Sequence, residues 1–268
     1  MSLPFRGREA LIIGGTGGIG RAMALGLAER GARIILHGGS SAERLESALR
    51  AIEAAGGEAE GFLERADQED GAERILRQAA RRAAPRNPLG GQDAGIPPEE
   101  GPLPKWAPDI LVCAWGPFKR APLEHTGGED WRYVVTNNLV FPGAIVSLSI
   151  SSMIRRNWGR ILLFGGTNTD ILRGYRTSTA YSAAKTALGV VAKSAALTGA
   201  LWGVTCNVVC PGLTDTEYLD EAERSYNQER SPSGKALKPE DIALAALGIM
   251  ENPRINGAVV PVDEGLLL

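Results

Sequence analysis

Two short stretches of this 268-residue chain carry residue types that can do chemistry together. One is Tyr181-Ser182-Ala183-Ala184-Lys185, inside a helix-patterned run. Residues i and i+4 of a helix share a face, so the phenol and the ammonium can be neighbours. A free tyrosine titrates near ~10 and is a poor proton donor and acceptor at neutral pH. A close ammonium stabilises the phenolate and brings its pKa toward the range where general acid–base catalysis is efficient. Taken alone, a Tyr and a Lys at this spacing are commonplace on helices. The other stretch is Gly14-Gly15-Thr16-Gly17-Gly18-Ile19-Gly20, between a first apolar run and a first helical one. There, glycines let the backbone approach a pyrophosphate, and the helix N-terminus turns free N–H groups and a positive dipole end toward the anion. Gly15, Gly17 and Gly20 fit the spacing G-x-G-x-x-G, and Gly14, Gly18 and Gly20 fit G-x-x-x-G-x-G. The turn itself does not choose between them.

The elements that must position these residues follow from hydrophobic periodicity. Short apolar runs over 10–13, 33–36, 61–63, 110–113, 160–164, 205–209 and 258–262 read as strands. Helical patterns lie between them, over 21–30, 41–55, 70–84, 130–156 (with a bend near Pro142-Gly143), 178–201 and 239–250. Such alternation is the signature of βα units on a parallel sheet. Residues 85–108 break the pattern with Gly90-Gly91, Pro97-Pro98 and Glu99-Glu100 and read as an irregular surface insertion. No repeat or linker divides the chain, so residues 1–268 are expected to form a single α/β domain.

The formal charge of −2 and the lack of a polybasic run argue against nucleic acid or an anionic membrane as partner. Cys113, Cys206 and Cys210 have no histidine at ligand spacing and read as packing rather than metal or redox residues, so no metal is expected. No apolar leader and no run of about 18 uninterrupted apolar residues is found, which makes a soluble cytoplasmic protein the expectation. An acid at the end of strand two would bind an adenosine ribose diol and repel a 2′-phosphate. The sequence there is His37-Gly38-Gly39-Ser40-Ser41, which leaves Ser40, Ser41 or Arg44 to meet a phosphate. NADP(H) is therefore preferred, with NAD(H) possible, and His37 reads as a strand-end residue rather than a catalyst.

These features together resemble the short-chain dehydrogenase/reductase family over nearly the whole chain. Besides the glycine turn and Tyr181-x-x-x-Lys185, Asp67 follows strand three, Asn138-Leu139 follows Trp131, and Asn207-Val208-Val209-Cys210-Pro211-Gly212 precedes Thr216. Gly257 with Val262-Asp263 resembles the family's last strand. The resemblance implies a doubly wound, mainly parallel seven-stranded Rossmann sheet with helices on both faces. It implies a nicotinamide cofactor held by Gly14, Thr16, Gly17, Gly18, Ile19, Gly20, Gly38, Ser40, Asp67, Gly116, Pro211, Gly212 and Thr216 as well as by Tyr181 and Lys185. Tyr181 would exchange a proton with the oxygen of a small carbonyl or alcohol substrate. Lys185 would hold the nicotinamide ribose and depress the tyrosine pKa, and Asn138 would support a water chain, with Asn137 as the off-register alternative.

The chain also departs from the family. A serine usually follows strand five; here Phe164-Gly165-Gly166-Thr167-Asn168-Thr169 offers Gly166 by alignment from the strand, Asn168 by counting back from Tyr181, and Thr167 as the nearest hydroxyl, which is taken for the role. Cys113-Ala114-Trp115-Gly116 stands where two asparagines, alanine and glycine are usual, and Glu264 where a glycine is usual. Two functions follow: hydride transfer between nicotinamide and a carbonyl or alcohol, or a dinucleotide-binding sensor or scaffold that has lost turnover. The segment 213–237, expected over the substrate site, mixes charges with Tyr218 and Tyr226 and does not name a substrate. Small residues on more than one face of the Tyr181 helix and the apolar tail Gly265-Leu266-Leu267-Leu268 predict a homo-oligomer, a dimer or tetramer.

Overall fold

The computed structural model describes residues 3–68, 70–83 and 106–266. Most of the expected 85–108 insertion and the end of the apolar tail lie outside the described residues. Seven strands, β1 (Glu9–Ile13), β2 (Arg33–Gly38), β3 (Ala59–Leu63), β4 (Ile110–Cys113), β5 (Gly159–Phe164), β6 (Val204–Pro211) and β7 (Val259–Val262), form one sheet in the order β3-β2-β1-β4-β5-β6-β7. Every pairing is parallel. This is the doubly wound Rossmann arrangement, in which β1 and β4 flank the point where strand order reverses. The central strands β1, β4, β5 and β6 are buried along their whole length, which is why they read as unbroken apolar runs rather than alternating ones.

Helices α1 (Gly18–Glu29), α2 (Ala42–Ala54) and α8 (Pro239–Glu251) cover one face, where Leu27, Ile52 and Leu247 pack on Ile12, Ile34 and Val112. On the other, α3 (Gly71–Arg82), α5 (Phe141–Arg155) and α6 (Thr179–Gly199) bury Ile75, Ile145 and Leu188 against Leu11, Leu111 and Leu163. Crossovers of one hand place a helix behind each strand and bring every strand's C-terminal end to one edge.

Two features differ from the sequence reading. The helix expected over 130–156 is two, α4 (Gly128–Val135) and α5, joined by a π-helical turn at Thr136–Val140. The discontinuity precedes Pro142, which sits in the first turn of α5 where a missing N–H costs nothing. Helix α7 (Glu221–Arg230) lies inside the 213–237 segment, to which the sequence assigned no element. Its residues bury nothing and so give no apolar period; a capping box starts it, with Asp220 Oδ1 accepting from Glu223 N–H at 2.8 Å and Glu223 Oε2 from Asp220 N–H at 3.1 Å. The run Gly128–Arg155 is also long and apolar enough, by composition, to cross a membrane. Half of its most apolar window is buried in the core, and it holds the buried Asn137 and Asn138, so it is an interior element here.

Candidate active site

The glycine turn joins β1 to α1 at the C-terminal edge of the sheet. Gly14 and Gly18 have φ of +74° and +49°, a region L-residues other than glycine rarely adopt. A Cβ on Gly20 would lie 2.1 Å from Gly14 O, so only glycine lets α1 start this close to the strand. The conformational demands therefore fall on Gly14, Gly18 and Gly20, the wider of the two spacings. Gly17 is pinched differently, by the movable ends of Glu217 and Tyr218. Gly18 N–H donates to both oxygens of the Glu217 carboxylate, at 3.0 and 3.1 Å. A negatively charged group thus stands at the N-terminus of α1, where a dinucleotide's pyrophosphate would bind, and the turn accepts it.

His37 explains the rigidity of the turn. Its ring is fully buried, Nδ1 accepts from Gly14 N–H at 3.4 Å and Nε2–H donates to Glu64 O at 2.8 Å. Burial lowers its pKa to about 4, so the ring is neutral and splints the turn to β2 and β3. Gly38 leaves room for the Thr16 methyl, and Thr216 lies over Gly18. Ser40 is exposed, whereas Ser41 is spent on the helix, its Oγ accepting from Arg44 N–H at 3.2 Å as the α2 cap. The Arg44 guanidinium lies 4.9 Å from the Tyr218 ring. Asp67, in the loop after β3, is gripped by Arg65 through two contacts of 3.0 and 2.7 Å, which holds its carboxyl below the usual range.

A cleft of about 240 Å³ opens beside the turn, lined by Ile19, Trp115, Gly116, Gly166, Thr167, Tyr181, Lys185, Pro211, Gly212 and Thr214 among others. Tyr181 and Lys185, both on α6, do share a face, with Lys185 Nζ 5.7 Å from the tyrosine ring. Lys185 is buried and its ammonium donates to Phe164 O at 2.9 Å. Burial lowers its pKa to about 8. Tyr181 departs from expectation: enclosure in the cleft pushes its phenol well above the ordinary value, with the Cys210 thiol adding to the rise. Desolvation is the largest cause of the rise, while the amine is turned to the Phe164 carbonyl.

The π turn brings Asn138, not Asn137, to the lysine. A Cβ on Gly116 would stand 2.2 Å from Asn138 Oδ1 and 3.3 Å from Lys185 Nζ, so only a bare glycine leaves this space free. The Asn138 amide donates to Pro117 O at 2.9 Å and Val134 O at 3.0 Å, while its buried Oδ1 has no partner. Asn137 instead donates back to Tyr133 O at 2.8 Å. A buried acceptor beside a buried amine is a place for water.

Gly166 is the β5-end residue that faces the phenol: its Cβ would come within 2.7 Å of Tyr181 Cε1 and 3.1 Å of the hydroxyl. Thr167, expected to supply the hydroxyl, gives its proton to Pro211 O at 3.1 Å. Thr169 is folded into the turn, accepting from Gly166 N–H at 2.8 Å, and Asn168 adopts a left-handed φ of +61°. Trp115 forms a cleft wall, held edge-on to Phe141 at 5.4 Å. Glu264 adopts φ +58°, the geometry a glycine would supply, and accepts from Ser231 Oγ at 2.8 Å and Ser233 Oγ at 2.7 Å. Thr214 and Phe118 are site residues that sequence patterning did not single out, and Glu217, one of the charges in the 213–237 segment, meets the glycine turn. They sit on loops and carry no period. Cys113, Cys206 and Cys210 are buried thiols whose pKa burial raises, to about 11 for Cys113 and Cys210. Among the described residues no group of three or more His, Cys, Asp or Glu could hold a metal ion.

A short chain dehydrogenase family model matches residues 8–90, and an enoyl-(acyl carrier protein) reductase model matches residues 106–267. Among curated proteins, 2-dehydro-3-deoxy-D-gluconate 5-dehydrogenase of Formosa agariphila is 28% identical, covering 98% of this chain and 93% of its own. L-Rhamnose 1-dehydrogenase (NADP(+)) of Thermoplasma acidophilum is likewise 28% identical, over 99% and 98% of the two chains. A solved structure from Beutenbergia cavernae, presented as an NAD(P)-dependent gluconate 5-dehydrogenase with NADP bound at low occupancy, superposes with a TM-score of 0.81. It is 26% identical, and the match covers 100% of this chain and 99% of that one.

Proposed function

The chain belongs to the short-chain dehydrogenase/reductase family of NAD(P)-dependent oxidoreductases, and from that premise we propose that it interconverts a small carbonyl compound and its alcohol, with Tyr181 as the proton-transferring group. The observation that carries the reading is the convergence of Tyr181 and Lys185 on one cleft beside the glycine turn, with the unpartnered Asn138 Oδ1 behind its Gly116 wall.

The residues present fit the dinucleotide. Gly14, Gly18, Ile19 and Gly20 would hold the pyrophosphate, where Gly18 N–H now donates to the Glu217 carboxylate. Thr16, Gly17, Gly38 and Asp67 would border the adenosine half, and Gly116, Pro211, Gly212 and Thr216 the nicotinamide half. The bound nicotinamide supplies or accepts the hydride. Around it the chain handles the proton. The Tyr181 hydroxyl gives its proton to the substrate oxygen on reduction and takes it back on oxidation. Lys185, whose pKa burial lowers to about 8, would hold the nicotinamide ribose, and its charge would favour the Tyr181 phenolate. Asn138 Oδ1 holds the water that returns protons to Lys185 Nζ.

NADP(H) is the preferred cofactor in this reading, with NAD(H) tolerated, because no carboxylate follows β2 while Ser40 and Arg44 stand near it. The substrate is a polyhydroxylated or carboxylated small molecule, as the names of the relatives suggest. A homodimer or tetramer buries the outer face of α6, where Val190 and Leu197 are 68% and 84% exposed in the single chain. The three unpaired thiols suit the reducing cytoplasm.

Mixing the purified protein with NADPH or NADH and a panel of keto acids, keto sugars and simple ketones tests the reading. Loss of reduced-nicotinamide absorbance with at least one compound is expected. Tight nucleotide binding with no consumption across the panel would instead favour a sensor or scaffold, a reading that the bare Gly166 keeps in play.

Gly166 also yields a gain-of-function prediction. A single well-placed donor to a reacting oxygen is worth about 10²–10³ in rate. Gly166→Ser is expected to raise kcat by roughly tenfold, part of that gain being spent on shifting the Tyr181 ring. Gly166→Ala crowds the phenol without adding a donor and should lower kcat. Steady-state rates of the two variants decide it; equal effects of Ser and Ala would mean that the hydroxyl contributes nothing there.

A further inference from the structure

We propose that Arg120 makes the site selective for anionic substrates, by receiving the carboxylate of a small hydroxy or keto acid whose reacting carbon stands at Tyr181. The inference rests on the redox reading above and names its substrate class.

Phe118 meets the Tyr181 ring edge-on at 4.9 Å and is 55% exposed at the mouth of the site. The Arg120 guanidinium lies 5.8 Å from the Phe118 ring and 5.9 Å from the ring of Tyr226, on α7. It is therefore held between two aromatic side chains, one of which touches the phenol. Its charged neighbours differ from it: Lys119 is paired with Asp130, and Arg224 with Asp215. Arg120 has no carboxylate within ion-pair distance among the described residues. Aromatic contacts restrain a guanidinium without using its N–H fork, and that fork matches a carboxylate with two parallel hydrogen bonds. Lysine could not present the same plane.

The separation calls for a small acid rather than a large one. The two contacts in series put the guanidinium carbon no more than about 11 Å from the centre of the phenol ring. Two other arginines stack nearby, Arg173 on Tyr175 at 5.7 Å and Arg230 on Tyr226 at 5.3 Å. Neither rests on a ring that touches Tyr181, so neither shares Arg120's position.

The test compares 5-oxohexanoate and gluconate with their neutral counterparts, the methyl ester and the amide, in the parent enzyme, Arg120→Gln and Arg120→Lys. A charge-assisted hydrogen bond of this kind is worth about 10–100-fold. Arg120→Gln is expected to lower kcat/KM for an acid by that factor, mainly through KM, and to leave the neutral counterpart unchanged. Arg120→Lys should recover part of the loss. Equal losses for acid and neutral compound, or none for either, would overturn the proposal. Calorimetric titration of the nucleotide-loaded protein with hexanoate, which cannot react, separates this from the redox reading. If nothing is turned over yet Arg120→Gln removes hexanoate binding, the carboxylate site stands and the redox reading fails. Hexanoate binding that is absent from the parent, or undiminished in Arg120→Gln, overturns the site itself.

Discussion

Tyr181→Phe lowers turnover by about 10²–10⁴-fold and leaves nucleotide affinity unchanged, measured by steady-state rates and by quenching of intrinsic fluorescence during nucleotide titration. The substitution removes one oxygen and keeps the ring that Phe118 packs against, so the cleft keeps its shape. What is lost is the phenol that faces the space in front of Gly166. Because enclosure raises the Tyr181 pKa, the phenol of the cofactor-free protein stays protonated throughout the neutral range, ready to act as an acid. Working as a base, in alcohol oxidation, requires removing that proton, so the oxidative rate should climb with pH while the reductive rate stays flat through neutrality. The phenylalanine variant should lose this pH dependence together with its rate. A variant within tenfold of the parent would remove Tyr181 from the chemistry.

What could be read from the sequence, and what could not, divides along physical lines. The buried strands β1, β4, β5 and β6 are apolar from end to end, and the helices behind them have one apolar face, so periodicity locates both. The positions of Tyr181 and Lys185 follow from helical spacing alone. By contrast α7 buries nothing, and its start is written only in the Asp220–Glu223 capping pair. The π turn that carries Asn138 to Lys185 leaves no mark of its own in composition, being an extra residue absorbed within a helical run. Two glycine spacings stayed equivalent until the positive φ of Gly14 and Gly18 distinguished them. The Tyr181 pKa could not be foreseen because spacing reports proximity to a charge and is silent about desolvation, which here is larger.

Lys185→Met tests that last point from the other side, and its two effects have opposite signs. The amine titrates at about 8 in the folded chain against an ordinary 10.5, with burial as the main cause. Between those values the unfolded chain holds a proton that the folded chain has lost, so stability rises with pH across the interval. The cost of burying the ammonium is complete below about pH 8 and has vanished above about pH 10.5. Removing the charge relieves that cost and forfeits one hydrogen bond to Phe164 O, for a net gain on the order of 1–3 kcal/mol at pH 7. Thermal unfolding of the cofactor-free variant should therefore occur several degrees above the parent, by about 2–4 °C per kcal/mol, with the gap closing as pH approaches 10. Turnover should fall by at least about 10²-fold, because neither the nicotinamide ribose nor the proton path keeps its amine. A destabilised variant at pH 7 would mean that the ammonium carries no burial cost. A stabilised variant with undiminished turnover would mean that the chain keeps this charge for some purpose other than the reaction.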